Sequence, residues 1–214
     1  ELDKKLQYLA LTKNLAHKGK VKYSEVYASS KIHDGAISAY LLSEGIIPPG
    51  RPKGESKLNY AGGYLFCPKA GLYKYMFDED LTSLYPSIIM TVNIGKETLV
   101  ARIIDADDRN NRLGLNDLKE KDPNEELLLE NPKRKRTKIK IKDLIGFIEK
   151  NNWAISANGV MFKTDRRSVL ATILDKWFDE RVEYKNAMKK AYKSGNEELG
   201  AAFHMKQYTM KILL

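Results

Sequence analysis

The stretch that most constrains this chain is an apolar run that ends in a carboxylate and leads through a short turn into a helix. Residues 75–77 are apolar or aromatic and predict a buried strand, Asp80 follows, and the apolar residues after Pro86 predict a helix. A carboxylate fixed at the end of a strand suits Mg²⁺, which is usually bound through one or two carboxylates together with substrate phosphates. The stretch is therefore typical of a metal-dependent phosphoryl-transfer site.

The turn after Asp80 also bears on ligand binding. Backbone N–H groups of residues 82–85, at the start of the predicted helix, would point toward phosphate oxygens. The ring of Tyr85 would then form a flat wall beside a sugar. A simpler interpretation is that Asp80 only caps the helix, because aspartate is a favoured N-cap residue. From these residues alone, both interpretations stand.

Composition narrows the class of protein. A chain of 214 residues with 43% hydrophobic and 30% charged residues is typical of one or two globular domains. The net charge of +9 favours a polyanionic partner. A lone cysteine, Cys67, excludes an internal disulfide and a cysteine cluster for zinc, which favours a reducing compartment. No apolar run is long enough for a membrane span, so no membrane association is expected, and residues 1–5 predict a chain that begins inside a longer protein.

The first third of the chain predicts helices followed by a loop. Apolar spacing predicts one helix over residues 1–18 and a second from Tyr23 or His33 to Leu42. Glycine and proline predict a loop over residues 50–60. Aromatic-rich strands are then expected at residues 64–66 and 73–77, on either side of a turn.

Two glycines, Gly62 and Gly63, follow Tyr60 shortly before those strands. Adjacent glycines allow a nucleic acid backbone to approach the main chain closely, and the tyrosine could stack on it or bond a phosphate. The plainer alternative is a turn between strands.

The middle third predicts several short elements. They are a strand at 98–104, an acidic insertion with a loop and short helix at 105–130, a helix at 143–150 and a hairpin at 154–162 that turns at Asn158-Gly159. The basic run at 133–142 resembles a nuclear localisation signal or a DNA-binding patch. Its alternating Thr-Lys-Ile-Lys-Ile-Lys part favours a solvated, half-exposed strand or loop.

The last third predicts a helical hairpin. One long helix begins near Arg166 and is interrupted at residues 194–196, and a second, antiparallel helix covers residues 197–214. Arg181 and Lys185 are four residues apart and share a helix face. A solvated basic face is the usual role of such a pair.

The string Asp-x-x-Ser-Leu-Tyr-Pro-Ser-Ile-Ile, which starts at Asp80, resembles the first polymerase motif of family B DNA polymerases almost letter for letter. The resemblance implies that Asp80 binds both catalytic Mg²⁺ ions and that the Leu81 carbonyl joins it. It implies that Ser83 and Leu84 present N–H groups to phosphate. Tyr85 would stack on the incoming sugar and exclude ribonucleotides.

The resemblance extends to both sides of this motif. The Tyr-x-Gly-Gly element formed by Tyr60, Gly62 and Gly63 resembles the one that holds the template strand in this family. The hairpin resembles the family's fingers, where cations grip the triphosphate. By position, the nucleotide-binding cations are Arg181 and Lys185 on the first helix and Lys211, which opens the second motif, on the second helix.

The implied fold class is α+β: a partial palm with a mixed sheet, a two-helix fingers hairpin and an N-terminal helical connector. The expected domains are a connector at 1–55, a palm part at 56–165 with an insertion at about 105–150, and fingers at 166–214. The resemblance implies DNA-templated addition of dNTPs to a primer 3′-hydroxyl, with two Mg²⁺ ions. It is strongest to tailed-phage replicative polymerases, which implies the host cytoplasm.

One part of the family's site is not found in this sequence. The Asp-Thr-Asp-like turn that supplies the second catalytic carboxylate is missing, and Asp78 and Glu79 are too close to Asp80 to replace it. We therefore expect the 214 residues alone to be inactive. The alternatives are a nucleic-acid-binding module without chemistry and a fragment that pairs with a second polypeptide carrying the remaining palm and thumb.

Overall fold

The computed structural model describes residues 3, 7–47, 65–81, 83–104 and 112–214. Tyr60, Gly62 and Gly63, the expected template-binding element, lie outside these residues, as do the expected boundary at residue 55 and the first part of the expected insertion. The helices are α1 (Tyr8–Gly19), α2 (Ser29–Ser43), α3 (Leu84–Val92), α4 (Leu115–Lys119), α5 (Ile141–Asn151), α6 (Val169–Lys193) and α7 (Glu197–Leu213), with a 3₁₀ turn at Tyr23–Glu25. The strands are β1 (Leu99–Ile103), β2 (Glu126–Glu130), β3 (Arg136–Lys140), β4 (Ala154–Ile155) and β5 (Val160–Phe162).

The five strands form one antiparallel sheet in the order β3-β2-β1-β5-β4. Residues that alternate along the strands face α5, whose apolar side chains recur at intervals of three and four residues. The buried core of this sheet layer comprises Ala101, Ile103, Leu113, Leu118, Leu127, Ile141, Leu144, Ile148 and Met161. The mixture of helices and sheet confirms the α+β fold class.

Several predicted elements of the sheet layer are confirmed. The strand expected at 98–104 is β1, and the hairpin expected at 154–162 is formed by β4 and β5. The two-residue turn expected at Asn158-Gly159 is wrong in its length: of these two residues only Gly159 has positive φ, +77°, and the Ser156 N–H donates to the Val160 carbonyl, so three residues connect the strands and glycine takes the left-handed position without strain. The alternating basic run forms β3, an exposed edge strand. The expected loop and short helix at 105–130 correspond in part to α4, but Leu127, Leu128 and Leu129 form β2 instead of loop.

The remaining helices form a second layer around the α6–α7 hairpin. This hairpin turns at Gly195, and the Asn196 side chain caps α7 by accepting the Leu199 N–H at 3.0 Å. The buried core of the helical layer joins α1 and α2 to the hairpin and comprises Leu15, Ala16, Val26, Ile32, Ala36, Ile173, Leu174, Trp177, Met210 and Leu213. The predicted helical hairpin is therefore confirmed.

The prediction of strands at 64–66 and 73–77 is wrong for the residues that the structure describes. Residues 65–81 form no strand, and Tyr75, Met76 and Phe77 are 98%, 76% and 84% exposed. A strand needs a neighbour to bond its backbone groups and an apolar layer to cover one face, and neither lies beside this described segment. In the described ranges, no helix has the length and apolar character needed to cross a bilayer.

Candidate active site

The stretch that resembles the first polymerase motif leads into α3 and forms its first turns. Ser83 precedes the helix with φ 53° and ψ 50°, the left-handed region that a residue with a side chain rarely adopts. The Ser83 carbonyl accepts the Ser87 N–H at 2.9 Å and so begins the helical ladder. The N–H groups of the first turn, which include those of Leu84 and Tyr85, have no intrahelical acceptor and form the positive end of the helix dipole.

Asp80 lies three residues before Ser83 and is exposed, as is the neighbouring Leu81. Asp78 and Glu79 are also exposed, so the approach to α3 carries several carboxylates. In the described ranges, no three or more His, Cys, Asp or Glu side chains are grouped to hold a metal ion. The residues that could contribute to a magnesium site here are the Asp80 carboxylate and the Leu81 carbonyl, both of which are the oxygen ligands that Mg²⁺ prefers.

Arg181 connects the α6–α7 hairpin to this helix start. Its Nη1 donates to the Ser83 hydroxyl oxygen at 3.5 Å, a long hydrogen bond between residues that are 98 positions apart. Its Nε is buried and lacks a hydrogen-bond partner among the described residues. The adjacent Glu180 is engaged by Lys18 of α1. A buried cationic donor with no acceptor is uncommon in folded proteins, which makes Arg181 a candidate ligand-binding residue.

Tyr85 lies in the first turn of α3 and remains 72% exposed. One side of it lines a cavity of 160 Å³ at the junction of α2, α3, α6 and α7, together with Trp177 of α6 and Leu213 of α7. The ring therefore borders the fingers hairpin and still faces solvent.

The other two predicted cations are exposed. Lys185 lies one turn after Arg181 on α6, about 6 Å further along the helix axis. Lys211 lies in the last turn of α7. The structure thus brings Ser83 and Arg181 into contact and shows Lys185 and Lys211 as exposed side chains of the same hairpin.

A buried junction that the sequence analysis did not identify fixes α3 against the hairpin. Asn93, 4% exposed, ends α3 and donates from Nδ2 to the carbonyls of Lys163 and Arg166 at 2.7 and 2.8 Å. Its Oδ1 accepts the backbone N–H of Ser168 at 2.8 Å. The Ser168 hydroxyl donates to the Ile94 carbonyl at 2.9 Å and caps α6. The available signal was an asparagine directly after an apolar helix, since asparagine often ends helices in the left-handed conformation.

Charged side chains strengthen the same junction. Arg167 forms two hydrogen bonds to the Asp175 carboxylate at 2.7 and 2.9 Å and donates to the Met90 carbonyl at 2.7 Å. The Glu97 carboxylate accepts the Val169 N–H at 2.6 Å, at the start of α6. These contacts fix the relative positions of the two helices that carry Ser83 and Arg181.

Comparison with known proteins identifies the family of this chain. A model of DNA polymerase family B matches residues 27–214. The chain is 28% identical over 211 residues to the DNA-directed DNA polymerase of Escherichia phage RB69, an alignment that covers 95% of this chain and 19% of that protein. It is 34% identical over 98 residues to the DNA-directed DNA polymerase of Enterobacteria phage T4, covering 46% of this chain and 11% of that protein. A 52-residue match to the DNA polymerase of Thermococcus gorgonarius has 42% identity and covers 24% of this chain and 7% of that protein.

The chain spans about a fifth of the length of the RB69 protein. The family model covers the helix start at Ser83, the buried junction and the whole α6–α7 hairpin. The chain therefore belongs to DNA polymerase family B.

Proposed function

We propose that this chain contributes part of the active site of a DNA-templated DNA polymerase. In the reaction, the 3′-oxygen of a DNA primer forms a bond to the α-phosphorus of a dNTP, and pyrophosphate leaves. The contact between Ser83 and Arg181 supports this proposal most strongly, because it joins a cationic donor to a helix start whose free N–H groups suit phosphate.

Asp80 and the Leu81 carbonyl are the residues proposed to hold Mg²⁺. Two ions bound there, with further ligands from outside these residues, would neutralise the developing negative charge and lower the pKa of the attacking hydroxyl. Asp80 is exposed and lies three residues before the helix start, so its carboxylate is accessible to a nucleotide bound at that helix end.

The triphosphate is proposed to bind between α3 and the fingers hairpin. The N–H groups of Ser83 and Leu84 would donate to phosphate oxygens, and the buried Arg181 Nε would gain an acceptor. Lys185 and Lys211 would add charge as mobile, exposed cations. Each of these groups stabilises negative charge that grows in the transition state.

Tyr85 is proposed to select the sugar. Tyr85 lines the same cavity as Trp177 and Leu213 and is exposed to solvent, so its ring could form a wall beside a bound sugar. A ribose 2′-hydroxyl would then clash with the ring, whereas deoxyribose would fit.

The remaining assignments follow from the family. Tyr60, Gly62 and Gly63 are proposed to contact the template strand, and a DNA primer-template is the proposed partner. The proposed domains are a connector over residues 1–55, a palm part over 56–165 and fingers over 166–214. The phage relatives support action in the cytoplasm of an infected host cell.

We further propose that these 214 residues need the remaining palm and thumb for activity, supplied by the same longer protein or by a second polypeptide. The sequence contains one candidate metal-binding carboxylate and no Asp-Thr-Asp turn. An exposed apolar segment supports this proposal: the large apolar side chains Leu65, Phe66, Leu72, Tyr73, Tyr75, Met76, Phe77 and Leu81 are all exposed. Exposed apolar side chains grouped along one segment are typical of a binding interface, and the missing palm strands are their proposed occupant.

The proposed metal role can be tested by single substitutions in a polymerase assembled from this chain and the remaining palm and thumb. Asp80→Ala should abolish Mg²⁺-dependent primer extension. Asp78→Ala is the matched control, because it removes another exposed carboxylate two residues away and should retain synthesis. Equal activity of the two variants would refute the assignment of Asp80.

A further inference from the structure

The turn between β2 and β3 carries a group of cations that the proposed active site does not use. The cationic side chains at and beside this turn are Arg102, Lys133, Arg134, Lys135 and Arg136, and all of them are exposed. We call the turn and its flanking residues, 130–136, the basic tip. None of the residues assigned to the active site belongs to it.

The basic tip is rigidly built. The Asn131 carbonyl accepts the Arg134 N–H at 2.9 Å, and the Asn131 N–H donates to the Lys135 carbonyl at 3.0 Å. The Asn131 side-chain oxygen also accepts the N–H groups of Lys133 and Lys135, each at 3.0 Å. With Pro132 in the second turn position, this is a type I turn followed by a left-handed residue. The backbone positions from which the three cations of the turn project are therefore fixed by hydrogen bonds.

One carboxylate orders the base of the tip. Glu130 accepts from Arg102 Nε at 2.7 Å, and its other oxygen lies 3.6 Å from Arg136 Nε. Glu130 therefore orients two guanidinium groups while neutralising only one charge. One positive charge therefore remains at the base of the tip. The cations of the turn, Lys133, Arg134 and Lys135, add one positive charge each.

Arg134 occupies the position of the turn where glycine is normally preferred. Its φ is +59°, a conformation that costs free energy for a residue with a side chain. The sequence thus has an arginine at the one turn position where removing the side chain would relieve backbone strain. Backbone strain of this kind is often retained at functional positions.

We propose that the basic tip binds the sugar–phosphate backbone of nucleic acid, without reading its sequence, as a contact separate from the polymerase active site. Several exposed cations grouped at one end of a hairpin match the charge of successive phosphates, and arginine and lysine supply most backbone contacts of this type. The proposal rests on the proposed function, because the proposed function makes nucleic acid the partner of this chain. The alternative role for these cations is to keep the edge strand β3 from pairing with other chains, and that role requires no nucleic acid.

The test is the salt dependence of binding to a 20-base-pair fluorescent duplex DNA, with no Mg²⁺ and no dNTP present. Arg134→Gly removes a charge and relieves the turn, so the hairpin should stay folded. Loss of one phosphate contact should make the slope of log affinity against log salt shallower by about 0.9. A triple variant that adds Lys133→Gln and Lys135→Gln should make it shallower by about 2 to 3.

The matched control is Lys20→Gly. Lys20 is also an exposed cation with positive φ, 54°, but it ends α1 in the helical layer. The proposal predicts an unchanged slope for this control. It is overturned if the duplex does not bind, if Arg134→Gly has the wild-type slope, or if Lys20→Gly changes the slope equally.

Failure of this proposal and failure of the proposed function can be distinguished. If only the proposed role of the basic tip is wrong, Arg134→Gly keeps the wild-type slope while Asp80→Ala still abolishes primer extension. If only the proposed function is wrong, primer extension survives Asp80→Ala while the tip variants still change the slope.

Discussion

Arg181 Nη1 donates to the Ser83 hydroxyl oxygen at 3.5 Å, so the first helix of the fingers hairpin touches the residue that begins α3. The bond is long, and the neighbouring Nε has no acceptor in the described part of the chain. Arg181 thus lies beside the residue that begins α3, with one buried donor atom unpaired among the described residues. A guanidinium in this condition is available to bind a ligand and contributes little to folding.

The first prediction is that Arg181→Met leaves the free energy of unfolding within about 0.5 kcal/mol of wild type or raises it, because an incompletely paired cation becomes apolar. Urea denaturation measures this, and dNTP binding in the assembled enzyme should be lost. Arg167→Met is the control. Arg167 forms two hydrogen bonds to Asp175 and one to Met90. Arg167→Met should therefore lower the free energy of unfolding by about 1 kcal/mol or more. A larger decrease in the free energy of unfolding for Arg181→Met than for Arg167→Met would contradict this prediction.

The second prediction concerns the buried junction at Asn93. Asn93→Ala should lower the free energy of unfolding by about 3 kcal/mol, because it removes the hydrogen bonds of two part-buried carbonyls and of one buried N–H. Asn152→Ala is the control, since Asn152 also ends a helix at positive φ but is exposed. The free energy of unfolding of that control should fall by only about 1 kcal/mol, because alanine adopts the left-handed backbone conformation less readily than asparagine. Equal losses would show that the side-chain bonds of Asn93 add little.

The sequence predicted the elements whose signals are local. The helix after the motif, the Asn158-Gly159 hairpin and the α6–α7 hairpin each depend on spacing or turn chemistry within a few residues, and each is present. The motif string made Ser83 a functional candidate and the position on the hairpin made Arg181 another, and the two side chains are in contact.

The features that sequence reasoning missed depend on distant partners. The run Leu127, Leu128, Leu129 has no alternation of its own and becomes a strand because β1 and β3 flank it. Conversely, residues 73–77 have strong strand propensity but no described neighbour to pair with. The role of Asn93 depends on carbonyls and an N–H some 70 to 75 positions away, which no local pattern reports.

The third prediction tests the close approach of α1 and α2. A Cβ at Gly35 would lie 2.1 Å from the Gly19 carbonyl oxygen, so Gly35→Ala should force the helices apart and cost about 3 kcal/mol. Gly146→Ala in α5 is the control, because no atom lies within 4 Å of its added Cβ. That variant should gain up to about 1 kcal/mol from helix propensity. Thermal or urea unfolding separates the two, and stabilisation by Gly35→Ala would contradict the packing.

The fourth prediction concerns pH. The hydrogen bond from Arg102, aided by Arg136, lowers the pKa of the Glu130 carboxyl from its ordinary value. A carboxyl with a lowered pKa in the folded state stabilises the fold above its unfolded pKa, and this contribution is lost as pH falls below about 4.3. Glu130→Gln should therefore be less stable than wild type near pH 7, and the difference should shrink on acidification to about pH 3. Arg102→Gln should give the same trend. A difference that grows as pH falls would contradict the assignment.

The most direct test of the central claim is primer extension with Mg²⁺ and dNTPs, run on this chain alone and again with a polypeptide that carries the remaining palm and thumb of a family B polymerase. The account predicts synthesis only in the mixture, because Asp80 would then meet the carboxylate that these residues lack and the apolar segment at 65–81 would be covered. Synthesis by this chain alone would contradict the account, and so would a mixture that associates but does not extend the primer.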